Sequence, residues 1–169
     1  FVASMNPCPF GYYGDITHHC FCTPGQIQRY LSKISGPLLD RIDIQCEISP
    51  LPFKDLSKAE QGETSANIRE RVLKARSIQT ERFKNYPNIH CNAQMSERMI
   101  HEFAEPDEQS LEILRKAMES LKLSARAYNR ILKVARTIAD LDASTKVQAH
   151  HIAEAIGYRS LDRGDWGER

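Results

Sequence analysis

Apolar residues open this chain in a short run, alternate at every second position over one later stretch, and recur at three-to-four spacing over most of the remainder. The alternating pattern predicts strands and the longer period predicts amphipathic helices. Phe1-Val2-Ala3-Ser4-Met5 reads as an apolar strand, and Ile42, Ile44, Cys46 and Ile48 alternate with Asp43, Gln45 and Glu47 as a second. Between them, Thr23-Pro24-Gly25 opens a helix carrying Ile27, Tyr30, Leu31 and Ile34, with Arg29 and Lys33 outward. Gly36-Pro37 then fits a helix start with proline at its first position, Leu38 and Leu39 docking inward.

After the second strand, Ser49-Pro50-Leu51-Pro52-Phe53-Lys54 is broken by proline and reads as a linker. The expected division is therefore 1–50, a linker over 51–61, and a helical region over 62–169. A long helix is predicted from Gly62-Glu63-Thr64-Ser65 to about Phe83, burying Ile68, Val72, Ala75 and Ile78 and turning Arg69, Arg71, Lys74, Arg76 and Arg82 outward. Four more helices follow. Ser96 to Phe103 carries Met99, Ile100 and Phe103; Pro106-Asp107 restarts the chain with Leu111, Leu114, Met118 and Leu121. Ser124 caps a third helix, running from Ala125 to about Leu141 with Tyr128, Ile131, Leu132, Ala135 and Ile138 inward. The fourth, around Val147 to Ile156, stops at Gly157, and its His150-His151 pair reads as surface and packing. The expected fold is mainly α with a few parallel strands.

Composition narrows the class without deciding it. Among 169 residues, 41% are hydrophobic and 27% charged, ordinary for a globular chain, and the net charge of +1 gives no global attraction to nucleic acid or anionic membrane. No apolar run approaches a membrane span and no leader-like start is visible, so a cytoplasmic location and no membrane partner are expected. Phe1 opens the chain directly on a strand, as an excised piece would. Cys8, Cys20, Cys22, Cys46 and Cys91 are odd in number and scattered, which favours reduced thiols or a metal site over disulfides.

Three places carry candidate chemistry. Asn6 follows the first strand at its carboxyl end, where open sheets meet ligands, although Asn-Pro also opens turns. Arg41 stands where a helix hands over to a strand. A guanidinium on such a corner suits a partner's phosphate, and its alternative is a surface pair with Asp40 or Asp43. Arg126 falls in the first turn of its helix, with Arg130 one turn later. That turn favours anions, so a cation there is better explained by a bound phosphate than by the helix itself. Separately, Cys8, Cys20, Cys22 and one of His18 or His19, taken here as His19, could supply four zinc donors, without the usual Cys-x-x-Cys spacing.

Phe1-Val2-Ala3-Ser4-Met5-Asn6-Pro7-Cys8-Pro9, Ser35-Gly36-Pro37-Leu38-Leu39-Asp40-Arg41-Ile42-Asp43 and the run from Leu123-Ser124-Ala125-Arg126 to Asp140-Leu141 closely resemble the magnesium-chelatase-like AAA+ ATPases, in their ComM/YifB branch. The resemblance implies the carboxyl-terminal part of an AAA+ α/β core followed by an α-helical lid. It implies that Asn6 is sensor 1, that Arg41 is an arginine finger acting in trans, and that Arg126 is sensor 2, with Arg130 beside it at the nucleotide. It further implies ATP and Mg2+ for the full-length protein, self-assembly into a ring such as a hexamer, and DNA as the partner remodelled, in the manner of a branch-migration helicase. A chelatase motor acting with porphyrin-binding partners is the alternative within the family. A non-catalytic helical module binding DNA or protein through the basic face of 69–82 is the alternative outside it. Phe10 stands where family members often have a second thiol. No Gly-x-x-x-x-Gly-Lys-Ser/Thr occurs in these residues, nor an apolar strand ending in Asp-Glu. Both are expected upstream of Phe1, and the piece alone is expected to be inactive.

Overall fold

The computed structural model describes residues 1–15, 17–48, 62–159 and 161. Seven α-helices occur among them: α1 (Pro24–Leu31), α2 (Gly36–Leu39), α3 (Ser65–Arg82), α4 (Glu97–Phe103), α5 (Glu108–Ser120), α6 (Ala125–Leu141) and α7 (Ala149–Gly157). No described helix is long and apolar enough to cross a membrane.

Helix starts follow local chemistry. Thr23, Thr64, Ser96, Asp107 and Ser124 each accept a backbone N–H of the first turn through a side-chain oxygen, satisfying donors that would otherwise be stranded. Thr23 and Gln26 reciprocate as a capping box.

The main core lies within 83–158 and is organised around α6. Ala127, Ile131, Leu132, Ala135, Ile138 and Ala139 form one buried stripe, against which α3, α4 and α7 pack, and α5 packs in turn on α7. Alanine at 127, 135 and 139 lets neighbouring helices approach closely, while each fully buried Ile or Leu contributes roughly 1.5–3 kcal/mol. Phe83, Tyr86 and Phe103 meet edge to face with centroids 5.8–6.4 Å apart and close α3 onto α4. A second, smaller core holds Cys8, Ile27 and Leu31, with Tyr13, Cys20, Cys22 and Tyr30 packed partly against it.

Four expectations are corrected. Parallel strands are not formed among the described residues; the β contacts are two isolated parallel bridges, Gln45 with Arg159 and Pro106 with Val147. Phe1 and Val2 are fully exposed, and Ile44 and Ile48 face outward while Gln45 is buried. A strand needs a neighbouring ladder to hold its apolar face inward, and the described residues provide none for 1–5 or 42–48. The stripe of α3 is also only half right. Ala75 and the unforeseen Gln79 are buried, but Ile68 and Val72 lie exposed, because only the carboxyl-terminal half of α3 rests on α6. Arg82, expected outward, turns inward to Asp140. In α2, Leu39 is buried and Leu38 is exposed. The linker expected over 51–61 lies outside the described residues.

Candidate functional site

Segment 36–45 is fastened to the helical body by a small polar junction. Ser35 and Pro37 start α2, and Leu39 anchors it. Asp40 then accepts from the Ser124 hydroxyl at 2.9 Å and 3.1 Å and from an Arg159 Nη2 at 3.4 Å. Ser124 is also the N-cap of α6, its Oγ accepting from the Ala127 N–H at 3.1 Å. One hydroxyl thus caps the helix and ties it to α2.

Arg159, only 1% exposed, donates further to the Ile42 carbonyl at 2.6 Å. The Gln45 N–H donates to the Tyr158 carbonyl at 2.8 Å. One turn into α6, Arg130 pairs with Asp43.

The consequence for Arg41 is direct. Both aspartates that could have neutralised it are engaged by other groups, Asp40 by Ser124 and Arg159, Asp43 by Arg130. Arg41 is exposed and donates from Nη1 to the Pro37 carbonyl at 3.0 Å, which steadies the side chain along α2 without neutralising it. Arg126, in the first turn of α6, is exposed and has no ion-pair partner among the described residues. Arg41 and Arg126 therefore sit within two residues of the same Asp40–Ser124 hydrogen bond, and neither is paired with a carboxylate among the described residues.

Asn6 stands apart from this junction. It is exposed, and its amide Nδ2 lies 3.6 Å from where a side chain on Gly11 would begin, so it sits over the first turn of the following loop. Among the described residues no hydrogen bond ties it to Asp40 or Ser124.

The loop after Asn6 gathers Cys8, Cys20 and Cys22, with all three sulfurs within 4.8 Å of one another. His19 is not part of this group; it is exposed and its ring packs against Phe21 at 5.1 Å. His18 is taken by Asp15, Nδ1 to Oδ2 at 3.0 Å. Burial raises the Cys8 thiol, but the Tyr13 amide, the Cys20 and Cys22 thiols and the Gly11 amide outweigh it and bring the pKa down from 9.0 to about 7. Burial raises that of Cys22.

A second trio, Asp142, His150 and His151, is excluded as a ligand set by its hydrogen bonds. The Gln148 N–H donates to His151 Nδ1 at 2.9 Å, which leaves the ring proton on Nε2, facing Asp142 at 3.2 Å. Neither nitrogen of His151 keeps a lone pair for a metal. An open groove along α5, lined by Leu111, Leu114, Met118 and Tyr128 under a rim of Glu112 and Arg115, contains none of the candidate residues.

Sequence reasoning overlooked the fastening residues Ser124, Asp43 and Arg159 in that role, because hydrogen bonds between positions more than 80 apart leave no local pattern. It also overlooked the buried Asp140, which binds Arg82, Asn92 and Arg136 together; a charge recurring on an apolar stripe of α6 was the available signal.

Comparison with known proteins supplies a frame for these features. Residues 62–159 match the family model described as magnesium chelatase, subunit ChlI C-terminal, and residues 1–56 match that of magnesium chelatase, subunit ChlI. Competence protein ComM of Haemophilus influenzae is 44% identical over 163 residues, and the uncharacterized protein YifB is 42% identical in Escherichia coli and 40% in Salmonella typhimurium. Each alignment covers 96% of this chain, which spans 31% of the length of each relative.

Proposed function

Since this chain belongs to the magnesium chelatase subunit ChlI family, through a model that covers 62–159, we propose that it is the carboxyl-terminal part of an AAA+ ATPase whose full-length form works as a ring, with six subunits as the expected number. In this reading Arg41 reaches the phosphates of a nucleotide held by a neighbouring copy. Charge spreads over the equatorial oxygens of a transferring phosphoryl group, and a fixed guanidinium stabilises that charge more than it stabilises the ground state. Arg126 supplies a second cation from the lid, and Asn6 orients the attacking water. Arg130, one turn behind Arg126 and paired with Asp43, holds the lid against the core beside the nucleotide. Bound with the nucleotide, Mg2+ would supply positive charge at the phosphates, and none of the carboxylates placed above is assigned to hold it.

The observation that carries this reading is an arginine left exposed and, among the described residues, without a carboxylate partner, while the two adjacent aspartates are bonded elsewhere. The fastening through Ser124 and Arg159 adds to it, because a cation on a fixed corner loses little entropy on meeting phosphate. For the task of the motor, the competence name of the Haemophilus influenzae relative supports remodelling of DNA, with branch migration as the candidate step. The family name keeps open a chelatase motor that inserts Mg2+ into a porphyrin. The non-catalytic module is less well supported: along the basic face of α3, Arg71 pairs with Glu63, Lys74 with Glu70, and Arg82 is drawn inside.

The test is made on the full-length protein. Arg41→Ala is expected to lower the ATPase rate constant by about 10³-fold or more while nucleotide binding persists. Near-normal turnover by that variant overturns the assignment, as does sustained phosphate release from the 169-residue piece alone. Stimulation of turnover by DNA supports the first task, and a requirement for porphyrin-binding partners supports the second.

A further inference from the structure

The loop over 8–22 reverses twice at glycine, Gly11 at φ +88° and Gly14 at φ +83°, a left-handed backbone that side chains rarely adopt. These reversals return the chain so that Cys8, at 0% exposure, meets Cys20 twelve positions later with Sγ–Sγ 3.6 Å, and Cys22 joins them. All three are free thiols. Around tetrahedral zinc, with Zn–S of about 2.3 Å, sulfurs stand about 3.8 Å apart. The sulfurs here are already within 4.8 Å, so no edge of the triangle needs to contract by more than about 1 Å.

The surroundings favour an ion over three neutral thiols. The buried part of this small core is Cys8, Ile27 and Leu31, thin support for a loop of this length, and small units with thin cores commonly rely on a metal or a cross-link. The Gly11 N–H donates to Cys8 Sγ at 3.1 Å, the arrangement that steadies a ligating sulfur from outside the coordination sphere. The hydrogen bonds to Cys8 Sγ come from backbone amides and neighbouring thiols, none of which brings the positive charge that buried thiolates require. Sulfur donors select soft ions and disfavour Mg2+ and Ca2+. His19, the fourth donor that the sequence suggested, is turned to Phe21, and His18 is bonded to Asp15.

We propose that Cys8, Cys20 and Cys22 form a three-thiolate site for a thiophilic d10 cation, with Zn2+ as its occupant and the fourth position filled by water or a donor from outside the loop. The ion cross-links the two ends of the loop and sets the base on which α1 begins.

Reduced full-length protein is titrated with Co2+ as a coloured probe and then with Zn2+. Thiolate-to-cobalt charge-transfer absorption at one equivalent, displaced by Zn2+, is the expected result. Cys20→Ser and Cys22→Ser, which are less buried than Cys8→Ser and so less apt to disturb the loop, should each weaken Co2+ binding by more than the roughly 100-fold that loss of an outer partner can cost. His19→Ala should leave it unchanged, and far-UV circular dichroism of each variant checks that the helices persist. The proposal is overturned by absence of the charge-transfer band, by serine variants that bind as tightly as the parent, or by a His19→Ala loss as large as that of a cysteine variant. A Cys8–Cys20 disulfide in metal-free protein under reducing buffer would overturn it equally.

Discussion

His151 has no exposed surface, although its neighbour His150 on the same turn faces solvent. Its Nδ1 accepts from the Gln148 N–H, the reach-back half of a capping box at the start of α7, a task that only the neutral ring can perform. Burial lowers its pKa below the usual 6.5, the His150 ring and the Arg136 guanidinium push the same way, and Asp142 opposes them. With the folded value depressed, the unfolded chain binds the proton more readily, so stability falls as pH drops below about 6.5 and is unaffected above it. Urea denaturation at pH 7.5 and pH 5.5 should show this loss, and His151→Gln should flatten it; an equally steep pH dependence in the variant would refute the assignment. Asp140 is the more consequential residue for packing. It accepts from Arg82, from Asn92 at 2.8 Å and from Arg136 at 3.1 Å, and Arg136 goes on to the Thr145 carbonyl at 3.0 Å. Removing one member of such a buried set typically costs about 3–5 kcal/mol, because the remaining charges stay buried without their partner.

Among the elements, α6 and α3 show how much a hydrophobic period can and cannot say. The period of α6 was legible, cap and end included, because Ser124 and a full apolar stripe coincide with the helix on which α3, α4 and α7 pack. The apolar stripe of α3 is far weaker, and Ile68 and Val72 stay exposed, since a few apolar positions at helical spacing do not say whether something covers their whole length. The two helices should therefore respond differently to truncation. Ile131→Ala is expected to cost about 2–5 kcal/mol through transfer and cavity terms, whereas Ile68→Ala should cost within roughly 0.5 kcal/mol. Equal losses for the two, measured by denaturant midpoint, would mean that the amino-terminal half of α3 is covered in solution. Two helix exits were not foreseeable in backbone detail: Lys122 and Ala143 take left-handed φ values of 50° and 53° where glycine is usual. After α6 the exit is held by the Ser144 N–H donating to the Ala139 carbonyl at 2.8 Å.

At the scale of the whole molecule, the junction of Asp40, Asp43, Ser124, Arg130 and Arg159 decides where Arg41 stands relative to the lid. Arg159→Ala removes the bonds to the Ile42 carbonyl and Asp40, and should speed amide exchange in 39–45 by about tenfold or more while α6 keeps its protection. Uniform loss of protection across α6 and α7 would show instead that Arg159 supports the bundle as a whole. Helix positions, most caps, the exposure of Arg41 and Arg126 and the family resemblance could all be read from residue order, because each depends on periodicity, local capping chemistry or a contiguous motif. The failure of 1–5 and 42–48 to form strands, the engagement of Arg130 with Asp43, the exclusion of His19 from the thiols and the inward turn of Arg82 could not. Each of these depends on which group from a distant part of the chain arrives first at a given polar atom, and that is settled only when the helices have packed.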